Sequence, residues 1–297
     1  MQEKGGVYMN QNDIMTLATE MPAYNGNLRK KGVTRKENAL LAYNHQIPKT
    51  VPNMFIDVSI IQAAPEIDRY PGLESGKDMW GVEWQYVPSA KAPMTVAGQY
   101  MLEDICDWKE VVKFPDLESI DWEKQAQIDL HTDWGDANNG KGIHPLEGGK
   151  TALDDGQACL VLLLNGPFER MHALMGFENA LMALATDPEA CSEFVSAFTD
   201  YRIEYIKKIK QYYPADIINC HDDYGTKNNM FMSLETWRTI FKPHQERLVK
   251  AVHEMGLIYQ HHSCGYIEPL IPELIEIGVD ALDPLQGGSN PHLEVLD

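Results

Sequence analysis

The chain has 297 residues, 44% of them hydrophobic, enough to bury a full-sized core as one large α/β domain. Its 25 Lys and Arg against 44 Asp and Glu give a formal net charge of −19, which repels phosphate backbones and anionic lipid heads and argues against nucleic-acid or membrane-surface partners. The start lacks the basic-then-apolar order of a signal peptide, and no apolar run approaches the ~20 residues that cross a bilayer, so the expected location is the cytoplasm. Five scattered cysteines (Cys106, Cys159, Cys191, Cys220 and Cys264) form no disulfide framework, which leaves thiolate or metal-ligand roles for any functional one.

Residues 1–33 are mixed and polar and read as an N-terminal appendage to a domain over 34–297. Thr34 with Glu37 forms a capping box that opens a helix through about Asn44. Residues 51–56 read as a buried strand ending at Asp57. The aromatic, Gly-rich stretch 70–88 reads as irregular or hairpin structure, with Trp80, Trp84 and Tyr86 either walling an aromatic pocket or serving as ordinary core.

From residue 158 the pattern is regular. An apolar run at 158–164 precedes helices from Pro167 and Phe177 and a long one opened by Asp187-Pro188, whose Phe194, Phe198, Tyr201, Tyr205 and Ile209 recur on one face. A strand at 216–220 follows, then a helical stretch over 233–255 interrupted near Pro243 and stopped by Gly256. A strand at 257–262, a helix ending at Gly278 and a strand at 279–284 complete the series. Strands alternating with helices predict a parallel sheet covered by helices, and with no GxGxxG after a strand nothing favours a dinucleotide-binding open sheet.

Polar residues collect where these strands finish: Asp57, Asn165, His221-Asp222-Asp223, His262-Ser263-Cys264 and Gln286. In parallel βα folds the C-terminal strand ends carry the chemistry. Within HHSCG (261–265), His262 and Cys264 lie two apart on an extended strand and so on one side; an imidazole and a thiolate there suit zinc, while the bland reading is a core histidine beside an inert cysteine. In NCHDDYGT (219–226), adjacent carboxylates raise one another's pKa, so Asp222 or Asp223 is a candidate acid or base or a support for a ligand histidine; a solvated turn is the alternative. Glu169 in NGPFER sits where a helix dipole alone accounts for it. His221, Asn165, Gln286, Asp57 and Tyr224 are candidate pocket residues by position.

The run from NGPFERMHALMGFENALMALATDPEA through HDDYGT, MFMSLETWRTIFKPHQERLVKAVHEMG, HHSCG and IPELIEIGVDALDPLQ resembles the uroporphyrinogen decarboxylase-like superfamily, over about residues 158–290. The resemblance implies a (β/α)8 TIM-type barrel. True decarboxylases of this group carry an arginine-rich segment near the end of the first strand; here that region reads PNMFIDVSIIQAAPEIDRYPG, without the paired arginines. The chain therefore resembles more closely the branch of corrinoid-dependent methyltransferases, in which a H-x-C pair and a later Cys hold zinc.

That resemblance implies zinc at His262 and Cys264, catalytic support from Asp222, Asp223 or Glu169, and methyl transfer between a small donor or thiol and a corrinoid (cobalamin) carried by a partner protein. The later Cys would lie beyond Asp297, as would the last two βα units. The alternatives are a truncated chain, edges covered by the appendage or a partner subunit, completion of the metal site by His221, Asp222 or Cys220, or a site without metal. Rival expectations are a metal-free decarboxylase acting in tetrapyrrole metabolism and a non-catalytic partner of a corrinoid protein. A homodimer is the default assembly.

Overall fold

The computed structural model describes Leu28 and residues 31–71, 75–90, 92–135, 143–153 and 156–291, so most of the expected appendage at 1–33 lies outside the described residues. The chain divides into two compact units, one of Met1–Ser59 with Asp155–Ala158 and one of Ile60–Asp154 with Cys159–Asp297.

In the first unit, the Thr34 side chain accepts from the Glu37 N–H at 3.1 Å while Glu37 accepts from the Thr34 N–H at 2.8 Å, and this capping box opens α1 (Arg35–Tyr43) as expected. The next expectation fails. Residues 51–56 form no strand: Val51 and Phe55 are exposed, Asn53 caps the Phe55 N–H, and a single helical turn, α2 (Met54–Asp57), occupies the place. Asp57 accepts from the Asn53 N–H within that turn, so it stands before a strand instead of after one. Pro52 offers no N–H to a ladder and Asn53 favours a cap, which together outweigh the short apolar run.

The strand that follows is β1 (Val58–Gln62). The stretch predicted as irregular or hairpin is a three-stranded antiparallel sheet of β2 (Gly76–Lys77), β3 (Glu83–Val87) and β4 (Ala92–Thr95). Trp80 and Trp84 are buried there and serve as core. Short helices α3 (Trp108–Val111) and α4 (Trp122–Leu130) come next.

The regular part follows the predicted order. It runs β5 (Ala158–Leu163), α5 (Pro167–Met175), α6 (Phe177–Thr186), α7 (Pro188–Tyr212), β6 (Ile217–His221), α8 (Leu234–Ile240), α9 (Lys242–Glu254), β7 (Ile258–His262), α10 (Ile271–Glu276) and β8 (Ala281–Asp283). On α7, Phe194, Phe198, Tyr205 and Ile209 are buried, the face read from their spacing. Asp187 stands at the predicted N-cap, but its carboxylate takes the Thr186 hydroxyl instead of a helix N–H. Pro243 separates α8 from α9 at Phe241 because it cannot continue the ladder of the preceding turn.

The large sheet has the strand order β1-β5-β6-β7-β8, with β5 to β8 paired parallel; β1 and β8 end that order among the described residues. Register is what matters for the site. Residue His221 pairs with His262 and His262 with Asp283, so three polar side chains stand level at the C-terminal ends of three adjacent strands. One layer below, Asn219 is level with Gln260. Because side chains alternate along a strand, these two layers share a face.

Candidate functional site

Each strand end carries its side chain inward by that register, and the loops then decide which atoms meet. The rings of His221 and His262 stack at a centroid distance of 3.9 Å and an angle of 15°. One ligand atom from each of His221, Asp223 and His262 lies within 4.8 Å of the other two. The Cys264 Sγ is 3.5 Å from His262 Nε2, and its backbone N–H donates to Asp223 Oδ1 at 2.6 Å.

Both histidines are oriented through the same nitrogen. His221 Nδ1 meets Glu169 Oε2 at 2.8 Å and His262 Nδ1 meets Asp283 Oδ2 at 3.0 Å. A carboxylate accepts only, so each Nδ1 carries the hydrogen, the arrangement that orients histidine ligands in metal sites, and the His262 Nε2 lies 3.8 Å from Asp223 Oδ1. Asp283 is itself fixed: Asn219 Nδ2 and Gln260 Nε2 both donate to its Oδ1, at 2.8 and 2.5 Å.

The charges follow from these contacts. Burial acts to lower the His262 pKa, yet the Asp283 hydrogen bond, with the contact and charge of Cys264, raises it to about 10. Burial acts to raise Asp283, and its bonds from His262, Gln260 and Asn219 hold it below the usual carboxylate range. For Glu169, burial is outweighed by the charge and hydrogen bond of His221, with Arg69 adding to the same direction, so its carboxyl is held low.

Other sequence candidates play holding roles. Asp222 is buried and turns away into α5, accepting from the Glu169 N–H at 2.9 Å, the Phe168 N–H at 3.2 Å and the Tyr224 hydroxyl at 2.5 Å. Burial and the charge of Glu169 push its carboxyl well up. It thus caps the helix that carries Glu169, and Tyr224 supports the cap. The close approach needs Gly166: a Cβ there would lie 2.4 Å from the Asp222 Cβ. Asn165, buried at φ 51°, accepts from Arg69 Nη2 at 2.8 Å, while its own amide donates to the Asp68 carbonyl. Gln286 Oε1 accepts from the Gly265 N–H at 2.8 Å and so holds the loop bearing Cys264. Cys220 is buried and its thiol is pushed up to about 11, chiefly by burial; it is not among the clustered ligand atoms.

Reasoning from the sequence did not single out Asp283, Asn219, Gln260 or Arg69. Asp283 closes the predicted strand at 279–284 immediately before a proline, the same strand-end position that drew attention to His221 and His262, so a signal was present. Asn219 and Gln260 read as ordinary strand residues until register pairs them.

The described residues form an α/β fold, a central sheet with flanking helices, that gathers histidine, carboxylate and thiol groups at its C-terminal strand ends. Residues 149–284 match the uroporphyrinogen decarboxylase family model. It is 30% identical over 126 residues to the methylated-thiol–coenzyme M methyltransferase of Methanosarcina mazei, a match that covers 42% of this chain and 33% of that relative. In fold it is similar to a methyltransferase from Methanosarcina mazei, with a TM-score of 0.52 at 14% identity, over 84% of this chain and 75% of the other. These likenesses are consistent with the methyltransferase branch of the superfamily. Among the described residues no helix is long and apolar enough to cross a membrane.

Proposed function

We propose that this protein is a zinc-dependent methyltransferase that moves a methyl group between a small donor or thiol and a corrinoid held by a partner protein. The observation that carries the reading is the donor set: one ring nitrogen from each of His221 and His262 and a carboxylate oxygen of Asp223 lie within 4.8 Å of one another, and the Cys264 Sγ lies 3.5 Å from His262 Nε2. The residues suit the metal on chemical grounds, since zinc takes imidazole, thiolate and carboxylate together. When bound, zinc supplies a Lewis acid that keeps a thiol deprotonated at neutral pH or polarises a methyl donor's heteroatom.

The remaining work falls to the protein's own groups. Glu169 and Asp283 hold the two rings, each through its Nδ1. Asp223 anchors the Cys264 backbone, so the thiol and the His262 ring keep one spacing. Asp222, buried under Tyr224, fixes the start of α5 and with it Glu169. Likeness to a methyltransferase that acts on methylated thiols supports the choice of chemistry.

The test is metal content of the purified chain by elemental analysis under reducing conditions, beside Cys264→Ser and His262→Ala, together with methyl transfer from methylcobalamin to a thiol. About one zinc per chain, lost in both variants, with thiol methylation by wild type, is the expected result. Wild-type protein that takes up no zinc and methylates no thiol would overturn the reading.

A further inference from the structure

One ionisable side chain beside the cluster holds no other group in place. His172 lies on α5 three positions after Glu169, hence on the same side of the helix, and Glu169 is the residue that holds His221. The His172 ring is half-buried and meets two phenyl rings edge-on, with the Phe168 centroid at 5.4 Å and 72° and that of Phe177 at 5.6 Å and 69°. Phe231, from the loop after β6, packs on both phenyl rings, at 6.0 and 4.9 Å. These contacts fix the plane of the imidazole, and neither of its nitrogens has a hydrogen-bond partner among the described residues.

The acids of the site are all engaged. Glu169 and Asp283 each take a histidine Nδ1, Asp222 takes two helix N–H groups and the Tyr224 hydroxyl, and Asp223 takes the Cys264 N–H. An imidazole with an uncommitted nitrogen is the side chain best suited to accept a proton near neutral pH. Four charges act on this one: Glu169 and Arg170 from its own helix, Arg69 from the segment after β1 and Asp223 from the loop after β6. Burial, with the two arginines, holds the ring's pKa below its ordinary value against the pull of the two acids, so His172 is neutral at pH 7 and its lone pair is available.

We propose that His172 is the base that takes the proton of the acceptor thiol during methyl transfer, an assignment that rests on the methyl-transfer reading. As the S–H bond breaks, its electron pair stays on sulfur and the proton passes to a ring nitrogen of His172. The sulfur then bonds the methyl group of a methylcorrinoid donor, whose own bond to that methyl breaks with the electron pair left on the donor. The imidazolium gives its proton to water, which reaches the half-buried ring. Phe168 and Phe177 keep the ring from turning while it does so.

The test follows methyl transfer from methylcobalamin to 2-mercaptoethanol against pH, using the full chain supplemented with zinc, together with the NMR signal of the His172 Cε1 carbon as the thiol is added without donor. Wild type is expected to show an acid limb in kcat/KM centred below the ordinary imidazole range. His172→Gln is expected to abolish that limb and to lower kcat about 100-fold or more, with KM for methylcobalamin within about threefold of wild type. His172→Phe keeps the aromatic packing and is expected to behave alike, so the assignment stays testable if His172→Gln does not fold. The Cε1 signal, identified by its loss in His172→Phe, is expected to move toward the imidazolium position on addition of thiol. Wild-type kcat in the variants, a lowered kcat with the acid limb retained, or a Cε1 signal that the thiol does not move would overturn the assignment and leave the methyl-transfer reading standing. Wild-type protein that transfers no methyl to the thiol would sink that reading and the assignment with it.

Discussion

The imidazole of His262 is held between two acids, with Asp283 Oδ2 at 3.0 Å from Nδ1 and Asp223 Oδ1 at 3.8 Å from Nε2. The shorter contact sets the ring's orientation and the longer one marks the side where a ligand atom is presented. His221 repeats the first half of this relationship with Glu169, so one strand register produces two similarly oriented rings.

In Asp283→Asn the amide oxygen is expected to stay with the two donors, Asn219 and Gln260, which turns the NH2 toward His262 Nδ1 and removes the acceptor that keeps the hydrogen there. Zinc affinity, measured by competition with a chromogenic chelator, is expected to fall about 10- to 100-fold, the usual effect of losing such an outer partner. Circular dichroism should remain that of the native fold. Unchanged zinc affinity would show that Asp283 does not orient the ligand.

The loops after β6 and β7 touch through glycines. A Cβ on Gly265, whose φ is +81°, would lie 2.5 Å from the Gly225 carbonyl carbon, a backbone contact that cannot rotate away. Gly265→Ala is expected to destabilise by about 2–4 kcal/mol through strain and crowding together. Urea unfolding measures the loss, and a variant as stable as wild type would remove the argument that this crossing fixes Cys264.

Arg170 and Asp78 form a pair with both side chains fully buried, the guanidinium also lying 4.7 Å over the Trp80 ring. Asp78→Asn or Arg170→Met alone is expected to cost about 3–5 kcal/mol by stranding the other charge. The double variant should be less destabilised than the two single losses added together. Strict additivity in urea unfolding would mean that the ions are not coupled.

Asp129 supplies a pH dependence. Burial raises its carboxyl to about 6, against hydrogen bonds from the Ala64 N–H, Tyr213 and Gln125. Below about pH 4 the group is protonated folded or unfolded and has no effect on stability. As pH rises toward 6 the folded state retains a proton that the unfolded state releases, so this group's share of stability falls, and above 6 the full penalty of about 3 kcal/mol applies. Asp129→Asn is expected to gain about that much relative to wild type on going from pH 4 to pH 7, compared by urea unfolding at each pH. A pH-independent difference would show that the carboxyl titrates normally.

The alternation of apolar runs and amphipathic helices after residue 158 was readable because each element reports its own period. The Thr34 and Glu37 cap is equally local. Residues 51–56 misled because a short apolar run does not distinguish a buried strand from a turn, and Pro52 and Asn53 carried the decisive preference. Asp222 was singled out beside Asp223 as one acidic pair; only the approach of α5 separated them, turning Asp222 into a cap and leaving Asp223 beside His262.

The sequence by itself determined the alternating βα order and the strand-end position of His221, His262 and Cys264, because periodicity and turn chemistry act over a few residues. Only the tertiary structure decided that Glu169 and Asp283 face those rings, that Asn219 and Gln260 hold Asp283, and that Arg69 reaches Asn165. Those partners are 21 to 96 positions apart in the contacts that join them. Their meeting depends on strand register and helix packing, which no local pattern encodes.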